Sequence, residues 1–106
     1  MSEIINVTSM EELKNIVENN ETVVADFWAE WCGPCRMFSP LIDQLAAEAE
    51  NVTVVKVNVD EAPAVAASFG VQSIPTVIAW NGKIENGKGH IGVMPYTALK
   101  EFVSAK

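Results

Sequence analysis

Residues 32–35 read Cys32-Gly33-Pro34-Cys35, and they hold the only two cysteines of this 106-residue chain. Thiol–disulfide exchange needs a thiolate near neutral pH and a second thiol within its reach. Two cysteines three positions apart can close a small disulfide ring without moving a fold. Cys32 is the better placed for the thiolate if it opens a helix, where free amides and the helix dipole favour negative charge. Cys35 then lies one turn deeper, towards the core. Cys32 is therefore expected to attack, and Cys35 to resolve the mixed disulfide. Zinc binding is the competing use of close cysteines, but zinc takes about four ligands. Two cysteines and the single, distant His90 cannot close such a site within one chain.

A strand must lead into this dithiol and a helix must lead out. Thr22–Trp28 is apolar on both faces, as in a central strand covered on both sides. After Cys32, the residues Cys35, Phe38, Ile42, Leu45 and Ala49 recur at helical spacing as one buried stripe. Proline is tolerated in a helix's first turn, where Pro34 falls. Pro40 lies inside the pattern and removes a backbone hydrogen bond, so a kink is expected about a turn past the dithiol.

The remaining elements follow from similar signals. Glu3–Val7 is a short strand. Thr8/Glu11 or Ser9/Glu12 form a capping box for a helix carrying Met10, Leu13, Ile16 and Val17, which ends near Asn19-Asn20. Val52–Val59 is a second apolar strand. Asp60 or Glu61 is expected to cap a short helix with Pro63, Val65, Ala66 and Phe69, stopped by Gly70. Ile74-Pro75-Thr76 opens a strand to about Trp80, and a glycine-rich hairpin follows. Its two Asn-Gly pairs, Asn81-Gly82 and Asn86-Gly87, are both turn signals, so the register of the next strand, expected around His90–Val93, stays open. Pro95 starts a last helix with Leu99, Phe102 and Val103 inward. Helices alternating with strands imply parallel pairing, and the closing hairpin makes the sheet mixed.

One domain with one core is what this length allows. A 49% hydrophobic content excludes a disordered chain. The net charge of −7 argues against nucleic acid and anionic membrane surfaces as partners. No apolar run approaches the roughly 20 residues of a membrane span. Met1-Ser2-Glu3 shows no leader pattern, so a cytoplasmic location is expected, where a close cysteine pair is more often catalytic than structural.

Asp26-Phe27-Trp28-Ala29-Glu30-Trp31-Cys32-Gly33-Pro34-Cys35-Arg36 resembles the active-site segment of the thioredoxins. The resemblance extends to Pro40, Lys56, Asp60, Ile74-Pro75-Thr76 and Gly92, nearly the whole chain. It implies an α/β thioredoxin fold: a single domain over residues 1–106, with a central mixed five-stranded sheet of order 1-3-2-4-5 flanked by four helices. It also implies a cytoplasmic, monomeric dithiol reductant of protein disulfides. Such a protein holds no cofactor or metal, binds neither nucleic acid nor membrane, and is re-reduced by a thioredoxin reductase.

Site roles follow residue by residue. Asp26, in an apolar strand where its pKa should rise, is by its residues either a hydrogen-bonded structural acid or a working one. The resemblance makes it the buried general acid/base that deprotonates Cys35. Lys56 is either a pairing partner that moderates Asp26 or a snorkelling surface lysine. The resemblance makes the Ile74–Pro75 bond cis and faces it to the dithiol. Ser73, Ile74 and Pro75 then form one wall of a substrate groove, and Ile91, Gly92 and Val93 the other. Trp31, Gly33 and Pro34 form the apolar rim, and Trp28 packs beneath. His90 is expected to be a solvated strand-end residue. Arg36 keeps the positive charge that many members supply with lysine. Two alternatives share these residues: a disulfide oxidase or isomerase of the same fold, and a non-catalytic module that docks a partner in the groove.

Overall fold

In the computed structural model, which describes residues 3–105, strand β2 (Thr22–Trp28) lies at the centre of a five-stranded sheet. Met1, Ser2 and Lys106, the ends of the expected domain, lie outside the described residues. Every residue of β2 from Thr22 to Phe27 is buried, which is why the segment shows no polar–apolar alternation. It pairs in parallel with β3 (Val52–Asn58) and antiparallel with β4 (Thr76–Trp80). The outer strands are β1 (Ile4–Asn6), parallel to β3, and β5 (Lys88–Ile91), antiparallel to β4. The order β1-β3-β2-β4-β5 is the expected mixed sheet.

Four helices cover it: α1 (Met10–Glu18), α2 (Gly33–Glu48), α3 (Pro63–Ser68) and α4 (Tyr96–Ser104). Side chains alternate across β2. Val23, Ala25 and Phe27 join a core with Leu13 and Val17 of α1 and Val65 of α3. Val24 joins the opposite core, with Phe38, Ile42 and Leu45 of α2 and Leu99 and Val103 of α4. Asp26 has the parity of Val24, so it points to the α2 side. Helix α2 runs unbroken through Pro40, and Ala46 extends its buried stripe. Among the described residues, no helix is long and apolar enough to cross a membrane.

The capping alternatives at α1 resolve to Ser9 and Glu12. Ser9 Oγ accepts from the Glu12 amide at 3.2 Å, and Glu12 Oε1 accepts from the Thr8 amide at 3.2 Å. Three local expectations are corrected. Neither Asp60 nor Glu61 caps α3, which begins after Ala62 with no side-chain cap. Instead Asn58 Oδ1 accepts from both their amides, at 2.9 and 3.3 Å, and closes the turn that leaves β3. The last strand is Lys88–Ile91 rather than residues around His90–Val93, with Ile91 opposite Thr76. Finally, neither Asn-Gly pair makes a two-residue hairpin. Gly82 takes a left-handed φ of 105°, but Gly87 is extended, and a 3-10 turn at Ile84–Asn86 fills the connection. That turn is fastened by Trp80, whose buried indole Nε1 donates to the Ile84 carbonyl at 3.0 Å. A Cβ on Gly87 would run into this indole, so glycine serves clearance there rather than a turn.

Candidate active site

Cys32 is the N-cap of α2. Its sulfur fills the role usually played by a serine or aspartate oxygen, accepting from the Cys35 amide at 3.2 Å. A thiolate at Cys32 would thus meet an amide donor and the positive end of a sixteen-residue helix. The two cysteines are joined as a disulfide, with Cα atoms 5.3 Å apart. Both are buried, in a small cluster with Ala29, against which Trp28, Val59 and Ile74 pack.

The Ile74–Pro75 bond is cis, and the Ile74 carbonyl oxygen lies 3.9 Å from Cys32 Sγ. Pro75 is buried, while Ser73 is exposed. Ser73 is tied into the bend through its carbonyl, which accepts from Thr76 Oγ1 at 2.5 Å. Gly92 follows β5 with φ 99°, a conformation that favours glycine. Its amide donates to the Pro75 carbonyl at 2.8 Å, so the segment 91–93 is stitched directly to the cis-proline bend. Ile91 and Val93 on either side are among the exposed large hydrophobic residues.

Trp31 is 67% exposed beside the dithiol, yet its indole Nε1 donates to Asp60 Oδ2 at 2.8 Å. Asp60 thus holds the ring instead of capping a helix, a role the residues alone did not signal. Gly33 and Pro34 are exposed at the helix start. Arg36 donates to the Glu30 carbonyl at 3.1 Å. Trp28 is half-buried behind the pair, and its Nε1 has no hydrogen-bond partner among the described residues. His90 lies outside the group. It is half-buried, with its ring 6.1 Å from that of Phe102, because its place in β5 turns it towards α4 rather than fully into solvent.

Behind the cysteines, Asp26 is only 2% exposed and its Oδ1 has no hydrogen-bond partner among the described residues. Burial pushes its carboxyl up to about 6 from an ordinary 3.8. The Lys56 ammonium opposes that rise, and the Asp43 carboxylate adds to it. Lys56 is Asp26's direct neighbour across β2–β3, and of the two readings left open for it the ion pair with Asp26 is not the one seen. The ammonium donates to Ser39 Oγ at 2.9 Å and lies 3.6 Å from Asp43 Oδ1, so both of its contacts are with α2. Neither Ser39 nor Asp43 stood out in the sequence, since nothing in a helix pattern says which cation its polar face receives. A cavity of about 130 Å³ joins the group, lined by Asp26, Trp28, Cys35, Arg36, Ser39 and Lys56. Among the described residues, no three His, Cys, Asp or Glu side chains gather as a metal-binding group.

The arrangement can exchange a disulfide at Cys32, next to the exposed Trp31, Gly33 and Pro34, and move a proton between Cys35 and Asp26 beneath it. Known proteins with this arrangement are readily found. The thioredoxin family model matches residues 4–105. A thioredoxin of Haemophilus influenzae is 40% identical, covering 98% of this chain and 97% of its own. Thioredoxin 1 of Nostoc is 39% identical, covering 95% and 94%. Among solved structures, a mutant thioredoxin from Halobacterium salinarum superposes with a TM-score of 0.86 at 33% identity, covering 95% of this chain and 88% of the other. The oxidised mitochondrial thioredoxin 3 of Saccharomyces cerevisiae gives 0.85 at 34% identity, covering 94% and 92%.

Proposed function

The chain belongs to the thioredoxin family and is a thiol–disulfide oxidoreductase, and from that premise we propose how its residues divide the work. It acts as a dithiol reductant of protein disulfides. The Cys32 thiolate attacks one sulfur of the substrate disulfide. A mixed disulfide forms, and the first substrate thiolate leaves and takes a proton from solvent. Asp26 then accepts the Cys35 proton, and the Cys35 thiolate attacks Cys32 Sγ. That step closes the Cys32–Cys35 disulfide and expels the second substrate thiolate, which takes a proton from solvent as Asp26 gives the Cys35 proton back to solvent. Two electrons and two protons pass to the substrate, leaving it as two thiols.

The observation that carries this reading is the asymmetry of the pair. Cys32 Sγ receives the Cys35 amide at the helix start, while Cys35 borders the cavity that holds Asp26. An extended substrate segment lies across the Ile74 carbonyl. Ser73, Ile74 and Pro75 line one side and Ile91, Gly92 and Val93 the other, with Trp31, Gly33 and Pro34 as an apolar rim. Trp28 supports the pair from below, and Lys56 tempers Asp26 at a distance. We read residues 1–106 as one domain acting as a cytoplasmic monomer without resident metal or cofactor. Its net charge of −7 supports protein substrates over nucleic acid or membrane surfaces. By its family it is re-reduced by a thioredoxin reductase.

Cys35→Ser tests the division of labour. It should accumulate a mixed disulfide with a protein substrate through Cys32, visible by non-reducing electrophoresis. Absence of trapping through Cys32 would sink the assignment. Equilibration with a glutathione buffer tests the direction of transfer. A pair that stays reduced in a moderately oxidising buffer would mark an oxidase instead.

A further inference from the structure

Asp26 and Lys56 face each other across adjacent strands, some 5 Å apart at their backbones, and yet do not pair. The Lys56 side chain is only 16% exposed, so its ammonium needs partners to offset lost water. Two acceptors compete for it. One is the Asp26 carboxylate, with an oxygen that no other described residue satisfies. The other is the α2 pair, Ser39 Oγ at 2.9 Å and Asp43 at 3.6 Å. Asp43 is 58% exposed, and its pull is screened by solvent. Ser39 is half-buried and lines the same cavity as Asp26 and Cys35. Its hydroxyl is the closer contact and fixes where the ammonium sits.

We propose that Ser39 is a positioning residue: its hydroxyl holds the Lys56 ammonium off the Asp26 carboxylate and so keeps that carboxylate able to take up a proton at neutral pH. The inference rests on the reading of Asp26 as the acceptor of the Cys35 proton. The other groups around Asp26 do not compete for the role. From α2, Cys35 borders the cavity in the disulfide, Arg36 donates to the Glu30 carbonyl, and Asp43, more than half exposed and 3.6 Å from the same ammonium, adds to the rise of the Asp26 carboxyl. From β4 the facing residue is Val77, and the buried residues of α4 are Leu99 and Val103. On β2 itself Trp28 offers an indole N–H and no charge.

Ser39→Ala removes the hydroxyl and raises helix propensity, so the fold should survive. The released ammonium then turns to the remaining buried acceptor, Asp26. In the oxidised protein, the Asp26 midpoint followed by carboxyl-carbon NMR should fall by about one pH unit. Ser39→Thr, which keeps the hydroxyl, should titrate like the parent. In a Lys56→Met background, where the midpoint starts higher, Ser39→Ala should add no further fall. An unchanged midpoint in Ser39→Ala overturns the proposal, as does an equal fall when Lys56 is already absent. The pH profile of protein-disulfide reduction, measured on the same variants, should move down with the midpoint. A midpoint that falls while that profile stays would support the placing of Ser39 and overturn the role given to Asp26.

Discussion

A carboxyl group 2% exposed in a central strand makes stability depend on pH in a definite direction. Asp26 titrates at about 6 in the folded protein against an ordinary 3.8. Below about pH 4 it is protonated folded or unfolded, and no penalty arises. As pH rises from about 4 through about 6, the unfolded chain releases the proton first and the fold loses stability. Above that window the penalty is complete, on the order of 3 kcal/mol. Asp26→Asn escapes it. In urea titrations the variant should match the parent near pH 4 and exceed it by roughly that amount above about pH 7, while its disulfide reduction near neutrality slows. A variant less stable than the parent at neutral pH would mean that the carboxylate is well compensated. This acid could be read as burdened from its apolar neighbours alone. Where its cationic neighbour would turn could not, because register fixes Cα positions and leaves a four-carbon side chain free to choose its partner.

Strands and helices carried most of their information in residues that restrict the backbone or fill the core. The β2 run and the α2 stripe were legible because burial on two faces leaves an unbroken apolar run and burial on one face leaves a helical period. Pro75 and Gly92 were legible through their resemblance to family positions, since a proline opening a strand says little by itself. The connection from Trp80 to Lys88 was opaque. Two Asn-Gly pairs gave equal turn signals, and neither is used as a tight hairpin: the Trp80 indole bonds to the Ile84 carbonyl four residues on, over a 3-10 turn. Gly87→Ala tests that account. Its added methyl meets the indole of a fully buried tryptophan and should cost about 1–3 kcal/mol by thermal unfolding. An unaltered midpoint would show that the connection yields freely. The α1 cap was legible only as two alternatives one residue apart. Ser9→Ala should lower stability by about 1 kcal/mol through loss of the bond to the Glu12 amide, whereas Thr8→Ala, which leaves that bond intact, should cost less.

At the scale of the whole molecule, two cores back a single sheet and the dithiol lies at one end of its central strand. The chain as a whole carries a net charge of −7, and such a field steers encounters before any groove is entered. Basic disulfide-containing proteins should therefore be reduced faster than acidic ones at low ionic strength. The difference should shrink at about 0.15 M salt, where the screening length is about 8 Å. Equal ratios of rates at both salt concentrations would show that local contacts, not the overall field, govern capture. The sheet's margins add something of a different kind. Its outer strands are three and four residues long, and the Lys88 ammonium at the start of β5 is tied to the Ala105 carbonyl. Margins this short offer a stray strand only a few backbone hydrogen bonds, one of the ways folded proteins blunt their edges. If extended segments of other proteins are received in the groove as proposed, margins this short limit their pairing along the sheet edge.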